Sequence, residues 1–190
     1  MKILLTAFEP FGGETVNPAQ EAAALVPNEI EGIRIVKMDV PVVFGKSIEA
    51  VRAVMEREQP RAVLCLGQAG GRTAITPERV AVNLRDARIP DNAGNQPRDE
   101  AVEPQGPAAY FSTLPVRQMT EAIRSAGIPA ALSLSAGAFV CNDLFYLLMH
   151  SLAGSGVPGG FIHVPAAKDL PPDQTARGLA LAILAINPQN

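Results

Sequence analysis

Short apolar runs rich in β-branched residues alternate along the chain with stretches in which apolar residues recur every three or four positions. That is the pattern of strands interleaved with amphipathic helices, and hence of an α/β protein. The runs predict strands at Ile3–Ala7, Ile33–Val40, Ala62–Leu66, Ala130–Leu134 and Gly160–Val164, with a further extended piece over Arg79–Leu84. Helical spacing predicts helices after Pro18, over Ser47–Glu58 and over Pro115–Ala126, the last ended by Gly127. Two more are predicted over Cys141–Leu152, with Leu144, Leu147 and Leu148 inward, and over Gln174–Ile186, with Leu179, Ile183 and Leu184 inward.

Arg85–Gly106 fits neither period. It is a run of about 20 residues rich in Asp, Asn, Gly, Pro and Arg, and a loop of that length inside a compact domain is usually functional. In a mostly parallel sheet the ligand crevice lies beyond the carboxyl ends of the strands. The loops that follow strands therefore matter most: Phe8–Asn17, Gly67–Arg72, Gly137–Asn142 and His163–Pro165.

At 190 residues, 47% hydrophobic and 18% charged, the chain reads as one domain, residues 1–190. A chain of this length buries roughly 70% of its unfolded surface and needs no disulfide or metal staple. A net charge of −3 leaves no basic footprint for nucleic acid. The apolar runs at either end are too short to span a bilayer, and no export signal is visible, so the expected compartment is the cytoplasm with reduced thiols.

Of the two cysteines, Cys65 sits mid-strand between leucines and reads as a core residue. Cys141 precedes a helical pattern, which puts its sulfur in the first helical turn, where the peptide dipole favours thiolate. A small buried hydrophobe is the alternative for Cys141. A thiol nucleophile needs an imidazole to take its proton, and the chain has two histidines. His150 is nine residues further along the same helix, about 13 Å away at ~1.5 Å per residue. His163 ends a strand on the crevice side and is the better base. For a third, orienting group the residues leave several acids open, Glu78, Asp86, Asp91 and Asp99 among them. Asp143 points elsewhere, two positions round the helix from Cys141.

Gly67-Gln68-Ala69-Gly70-Gly71-Arg72 follows a strand but lacks the spacing and following helix of a nucleotide loop. No CxxC or HxxxH spacing offers a zinc site. Phe8, Phe11 and Phe139 lie in crevice loops, and if they face a ligand they suit one that is flat, small and uncharged.

These residues fall in five ordered motifs: Leu5-Thr6-Ala7-Phe8-Glu9-Pro10-Phe11-Gly12-Gly13 with Asn17-Pro18; Gly70-Gly71-Arg72 through Thr76-Pro77-Glu78-Arg79-Val80-Ala81-Val82-Asn83; Ala87-Arg88-Ile89-Pro90-Asp91-Asn92; Ser135-Ala136-Gly137-Ala138-Phe139-Val140-Cys141-Asn142; and Gly160-Phe161-Ile162-His163-Val164-Pro165. With them the chain resembles, over nearly its whole length, the pyroglutamyl peptidase I (pyrrolidone-carboxylate peptidase) family of cysteine peptidases. The resemblance implies Cys141 as nucleophile, His163 as general base and Glu78 as the acid that orients the histidine. It implies a pyroglutamyl pocket lined by Phe8, Phe11, Gln68, Ile89, Phe139 and Val140, with Asn17 and Arg88 in supporting roles. One departure is Ala138, where much of the family has Thr. The implied fold is a three-layer α/β/α sandwich of phosphorylase/hydrolase type with a mostly parallel central sheet. The implied substrates are peptides with an N-terminal pyroglutamate, cleaved through a thioester acyl-enzyme without metal or organic cofactor, by a homotetramer. Two rival readings are a phosphate-dependent, nucleoside phosphorylase-like enzyme and a catalytically silent binding protein that keeps the pocket.

Overall fold

The structure is a computed structural model and describes residues 1–186. Its core is a six-stranded sheet. In chain order the strands are β1 (Lys2–Phe8), β2 (Glu29–Ile30), β3 (Ile33–Val40), β4 (Ala62–Gln68), β5 (Thr76–Pro77) and β8 (Gly159–Val164), arranged β2-β3-β1-β4-β8-β5. β3, β1, β4 and β8 run parallel, and the two-residue strands β2 and β5 pair antiparallel at the edges. A separate ribbon pairs β6 (Val80–Val82) with β7 (Ala109–Phe111).

Parallel strands are covered on both faces, so successive side chains must both be apolar. β1 accordingly turns Ile3, Leu5 and Ala7 to one core and Leu4 and Phe8 to the other. β4 divides the same way, Leu64 and Leu66 against Val63 and Cys65. The first core is closed by α1 (Pro18–Leu25), α3 (Val116–Ser125) and α5 (Pro172–Ile186), the second by α2 (Lys46–Glu58) and α4 (Val140–Leu152). Helix, sheet and helix make three layers.

The predicted helices and the strands β1, β3, β4 and β8 form within a residue or two of their expected ends. Ala130–Leu134 does not form a continuous strand, and the reason is chemical. The Ile75 amide donates to the Pro129 carbonyl and the Ala131 amide to that of Ile75, the Ser133 amide donates to Pro77 and the Arg79 amide to Ser133, in the sequence of a parallel ladder. The donor missing from the middle belongs to Pro77, which has no N–H, so only isolated bridges at Ala130 and Ser133 remain. β2, β5 and β7, at two or three residues, are too short to show a period and were not predicted.

Arg85–Gly106 is irregular as expected, but it is anchored. Asp91, 6% exposed, accepts from the amides of Phe44, Ala93 and Asn95. Burial alone would raise its pKa, but these bonds and the Asn95 side chain outweigh it and hold the carboxyl below its ordinary value. At the far end of α4, His150 Nδ1 lies 2.8 Å from the Tyr110 hydroxyl and its ring stacks on Tyr146. Among the described residues no helix is long and apolar enough to cross a membrane.

Candidate active site

β1, β4 and β8 end on one side of the sheet, and a cavity of about 480 Å³ opens there, lined by Phe8, Gln68 and His163 from those strand ends. This is the crevice expected of an open parallel sheet. Loops complete its wall with Phe11, Asn17, Arg72, Asp86, Arg88, Ile89 and Phe139, and the first turn of α4 with Cys141.

Cys141 is the second residue of α4. Gly137, at φ 78°, takes the left-handed turn that leads into the helix, and Phe139 enters it in extended conformation with no side-chain cap. The first helical bond is the Asp143 amide to the Phe139 carbonyl. The N–H groups of Val140, Cys141 and Asn142 precede it and have no intrahelical acceptor. The start of α4 is pinned from both sides. Asn142, fully buried, donates to the carbonyls of Val82 and Leu84 and accepts from the Val82 amide. Asp143, also fully buried, pairs with Arg85 Nε at 2.6 Å and accepts from the Gly45 amide, facing away from the cavity as the helical spacing predicts.

Gly67 makes room for the sulfur. A Cβ at this position would stand 2.8 Å from Cys141 Sγ and 2.9 Å from Phe161 Cζ, closer than real contacts allow. Cys65, two residues earlier on the same face of β4, is sealed in the core, and burial pushes its thiol up to about 12.

His163 Nδ1 lies 2.7 Å from Glu78 Oε1, and Glu78 is wholly buried where β5 ends. The same oxygen accepts from Arg72 Nη1 at 2.6 Å, and Glu78 Oε2 has no partner. Arg72 also donates to Thr76 Oγ1 at 2.5 Å and to the Ser135 carbonyl at 3.1 Å. Burial lowers the His163 pKa below its ordinary 6.5; the Glu78 hydrogen bond opposes this and Arg72 adds to it. For Cys141, burial and then the Glu78 carboxylate push the thiol up to about 12, against Arg72. Burial therefore opposes the thiolate that the helix start favours, and it favours the neutral imidazole beside it.

Phe11 and Phe139 stand 6.4 Å apart between ring centroids, and Phe44 backs Phe139 edge-on at 5.5 Å. Of the pocket residues expected from the resemblance, Phe8, Phe11, Asn17, Gln68, Arg88, Ile89 and Phe139 all reach the cavity. Val140 does not line it, because its side chain is buried in the second core. Asn17 does more than line the wall: its Oδ1 accepts from the Ala19 amide to cap α1, and its Nδ2 ties down the Glu9 carbonyl. Sequence reasoning gave no site role to Arg72 or Gly67, and it held Asp86 open only as an orienting acid, whereas Asp86 lies on the cavity wall. Arg72 stood in a quoted motif, but only the fold shows that it meets Glu78. The glycine loop after β4 leads into β5 and not into a helix, which removes the phosphate-loop geometry. Among the described residues, no group of three or more His, Cys, Asp or Glu side chains is placed to hold a metal ion.

A three-layer α/β protein with a thiol at a helix start and a carboxylate-held imidazole in one crevice has the build of a cysteine hydrolase. Comparison with known proteins narrows the class. The family model described as pyroglutamyl peptidase matches residues 1–183. The pyrrolidone-carboxylate peptidase of Streptomyces coelicolor is 52% identical, across 97% of this chain and 87% of its own. The crystal structure of Bacillus amyloliquefaciens pyroglutamyl peptidase I superposes with a TM-score of 0.92 at 46% identity, covering 97% of this chain and 96% of the other. A variant of pyrrolidone carboxyl peptidase from Pyrococcus furiosus superposes equally well, at 0.92 and 38% identity over 98% of each chain. The chain belongs to the pyroglutamyl peptidase family.

Proposed function

We propose that this member of the family hydrolyses the bond after an N-terminal pyroglutamyl residue, with Cys141 as nucleophile, His163 as base and Glu78 as the group that orients it. The observation that carries the reading is the shared crevice of Cys141 and His163, with Nδ1 held 2.7 Å from a buried carboxylate. An ionised Glu78 only accepts, so Nδ1 carries the hydrogen and Nε2 is left with a free lone pair. Nε2 takes the Cys141 proton as sulfur attacks the scissile carbonyl, and the carbonyl becomes an oxyanion facing the free amides of the first turn of α4. Collapse forms a thioester and breaks the C–N bond while the imidazolium protonates the departing amine. Water, deprotonated by His163, then releases pyroglutamate and restores the thiol.

The pyroglutamyl ring is neutral and compact, and walls from Phe8, Phe11 and Phe139 suit it. The cavity is larger than the ring and leaves room for the residue beyond the scissile bond. An N-terminal glutamate would carry charges into the same apolar wall unpaired, which penalises it. Asn17, Gln68, Arg88 and Ile89 complete the binding surface in this reading. The enzyme acts as one peptidase domain over 1–190, in the cytoplasm, as a homotetramer.

Release of a fluorogenic amine from a pyroglutamyl amide, under reducing conditions and without phosphate, tests the activity. Wild type turns over and Cys141→Ala does not. A folded, reduced wild type without turnover refutes the reading, and turnover only on adding phosphate points to phosphorolysis.

A further inference from the structure

Glu78 is fully buried, and one of its oxygens holds both His163 and a guanidinium while the other has no partner. A buried carboxylate with no cation beside it takes up a proton, because burial penalises the charged form. Among the described residues its side-chain partners are His163 and Arg72, and only Arg72 is permanently charged. Arg72 is in turn held by Thr76 Oγ1 and by the Ser135 carbonyl, so the guanidinium is fixed from three sides. Ser135 begins the Ser135–Asn142 segment that carries Cys141.

We infer that Arg72 is a positioning residue of the hydrolytic site: acting through Glu78, it keeps that carboxylate ionised and turned to His163 Nδ1, and it ties the pair to the segment that leads to the nucleophile. The inference rests on the roles proposed above for Cys141, His163 and Glu78. A protonated Glu78 can donate to Nδ1 and fix the wrong tautomer, which places the hydrogen on Nε2, where the lone pair is needed. Beyond Arg72 and His163, Glu78 acts on Cys141 of α4, behind which Cys65 of β4 lies, and Asp86 and Arg88 stand on the cavity wall. Asp86 has its own cation in Arg98, 3.6 Å away, and is half exposed. Among the described residues none of these pairs with Glu78.

The test is the pH profile of kcat/KM for a pyroglutamyl amide, beside the pH profile of Cys141 alkylation by iodoacetamide, which needs no peptide substrate. In Arg72→Gln the acid limb of both profiles moves up by about one pH unit or more, so that activity at pH 6 falls about tenfold relative to the high-pH plateau. Arg72→Lys keeps the charge without the fork: its limb stays within about half a unit of wild type while kcat falls at every pH. In the Glu78→Gln background Arg72 has no carboxylate to hold, and Arg72→Gln there leaves the limb where it was.

An unmoved limb in Arg72→Gln overturns the inference and leaves Arg72 a structural clamp. So does a rise in KM alone, which marks a substrate contact. A limb that moves equally in the Glu78→Gln background shows direct action on His163 and also overturns it. Should Arg72→Gln fail to fold, Arg72→Lys decides, because a limb shifted by a full unit in spite of the retained charge refutes the role. A wild type that alkylates with the expected profile but does not cleave the amide refutes the proposed function and leaves the role of Arg72 standing.

Discussion

Gly67 and Cys141 illustrate how little space the site has at the level of single residues. With Sγ 2.8 Å from the place a Cβ would occupy, Gly67→Ala must displace either the sulfur or the Phe161 ring beneath His163. We expect a folded variant with kcat lowered by about 10²-fold or more, since a misplacement near 1 Å is enough for that. Circular dichroism and active-site alkylation separate this from unfolding. Cys65→Ala should retain turnover at a cost of about 1–2 kcal/mol in stability, read by denaturant titration. Glu78→Gln should keep weak activity, down about 10²–10⁴-fold in kcat with little change in KM. At this scale the meeting of Cys141 and His163 in one crevice was legible: one cysteine lies among leucines in a strand and the other at a helix start, and one histidine is beyond reach along that helix. The acid was not legible from the residues, because Glu78 is selected by where Pro77 and β5 carry the backbone. The resemblance chose it, and the fold puts it against His163.

Helix α4 is the element on which the site depends. Its start is held by Asn142 on the β6 segment and by the Asp143–Arg85 pair, while Arg85 lies 5.8 Å over the Phe44 ring that backs Phe139. Arg85→Ala strands a fully buried carboxylate and should lower stability by about 3–5 kcal/mol. It also removes the support behind a pocket wall, so KM should rise in material that remains folded at low temperature. Thermal melts and steady-state kinetics on one preparation check both. Elements long enough to repeat a period were legible to within a residue or two. The Ala130–Leu134 run was legible as strand-like, but a hydropathy pattern carries no information about the Pro77 that interrupts its partner.

For the molecule as a whole, burial of titratable groups sets how stability depends on pH. The thiols of Cys65 and Cys141 are raised from 9.0 to about 12 in the fold, so the folded state holds protons that the unfolded chain releases. Their stabilisation is complete below pH 9 and is lost as pH rises toward 12. His163 is shifted the other way, below 6.5. There the unfolded chain binds the extra proton, and stability falls as pH drops below 6.5. Denaturation midpoints against pH should therefore form a plateau between these limits, and Cys65→Ala should soften its alkaline edge. A flat alkaline limb in both proteins would contradict the burial of these thiols in solution. The α/β class was legible at this scale in the alternation of strands and helices, and the three layers were implied by the resemblance. The crevice was legible as a location, since loops after parallel strands converge, and the resemblance supplied most of its wall; Arg72 and Asp86 on that wall, and Val140 turned into the core, came only from the fold.

The tyrosine pair beside His150 gives the protein a built-in optical label. The chain has two tyrosines and no tryptophan, and the two phenol rings stand 5.0 Å apart. Near-ultraviolet emission from the folded chain thus originates at one spot, against the middle of the helix whose first turn holds Cys141. Alkylation reads the start of that helix and phenol emission its middle. Followed together during unfolding, they show whether α4 lets go as a unit or frays from the catalytic end, without a dye or an introduced residue.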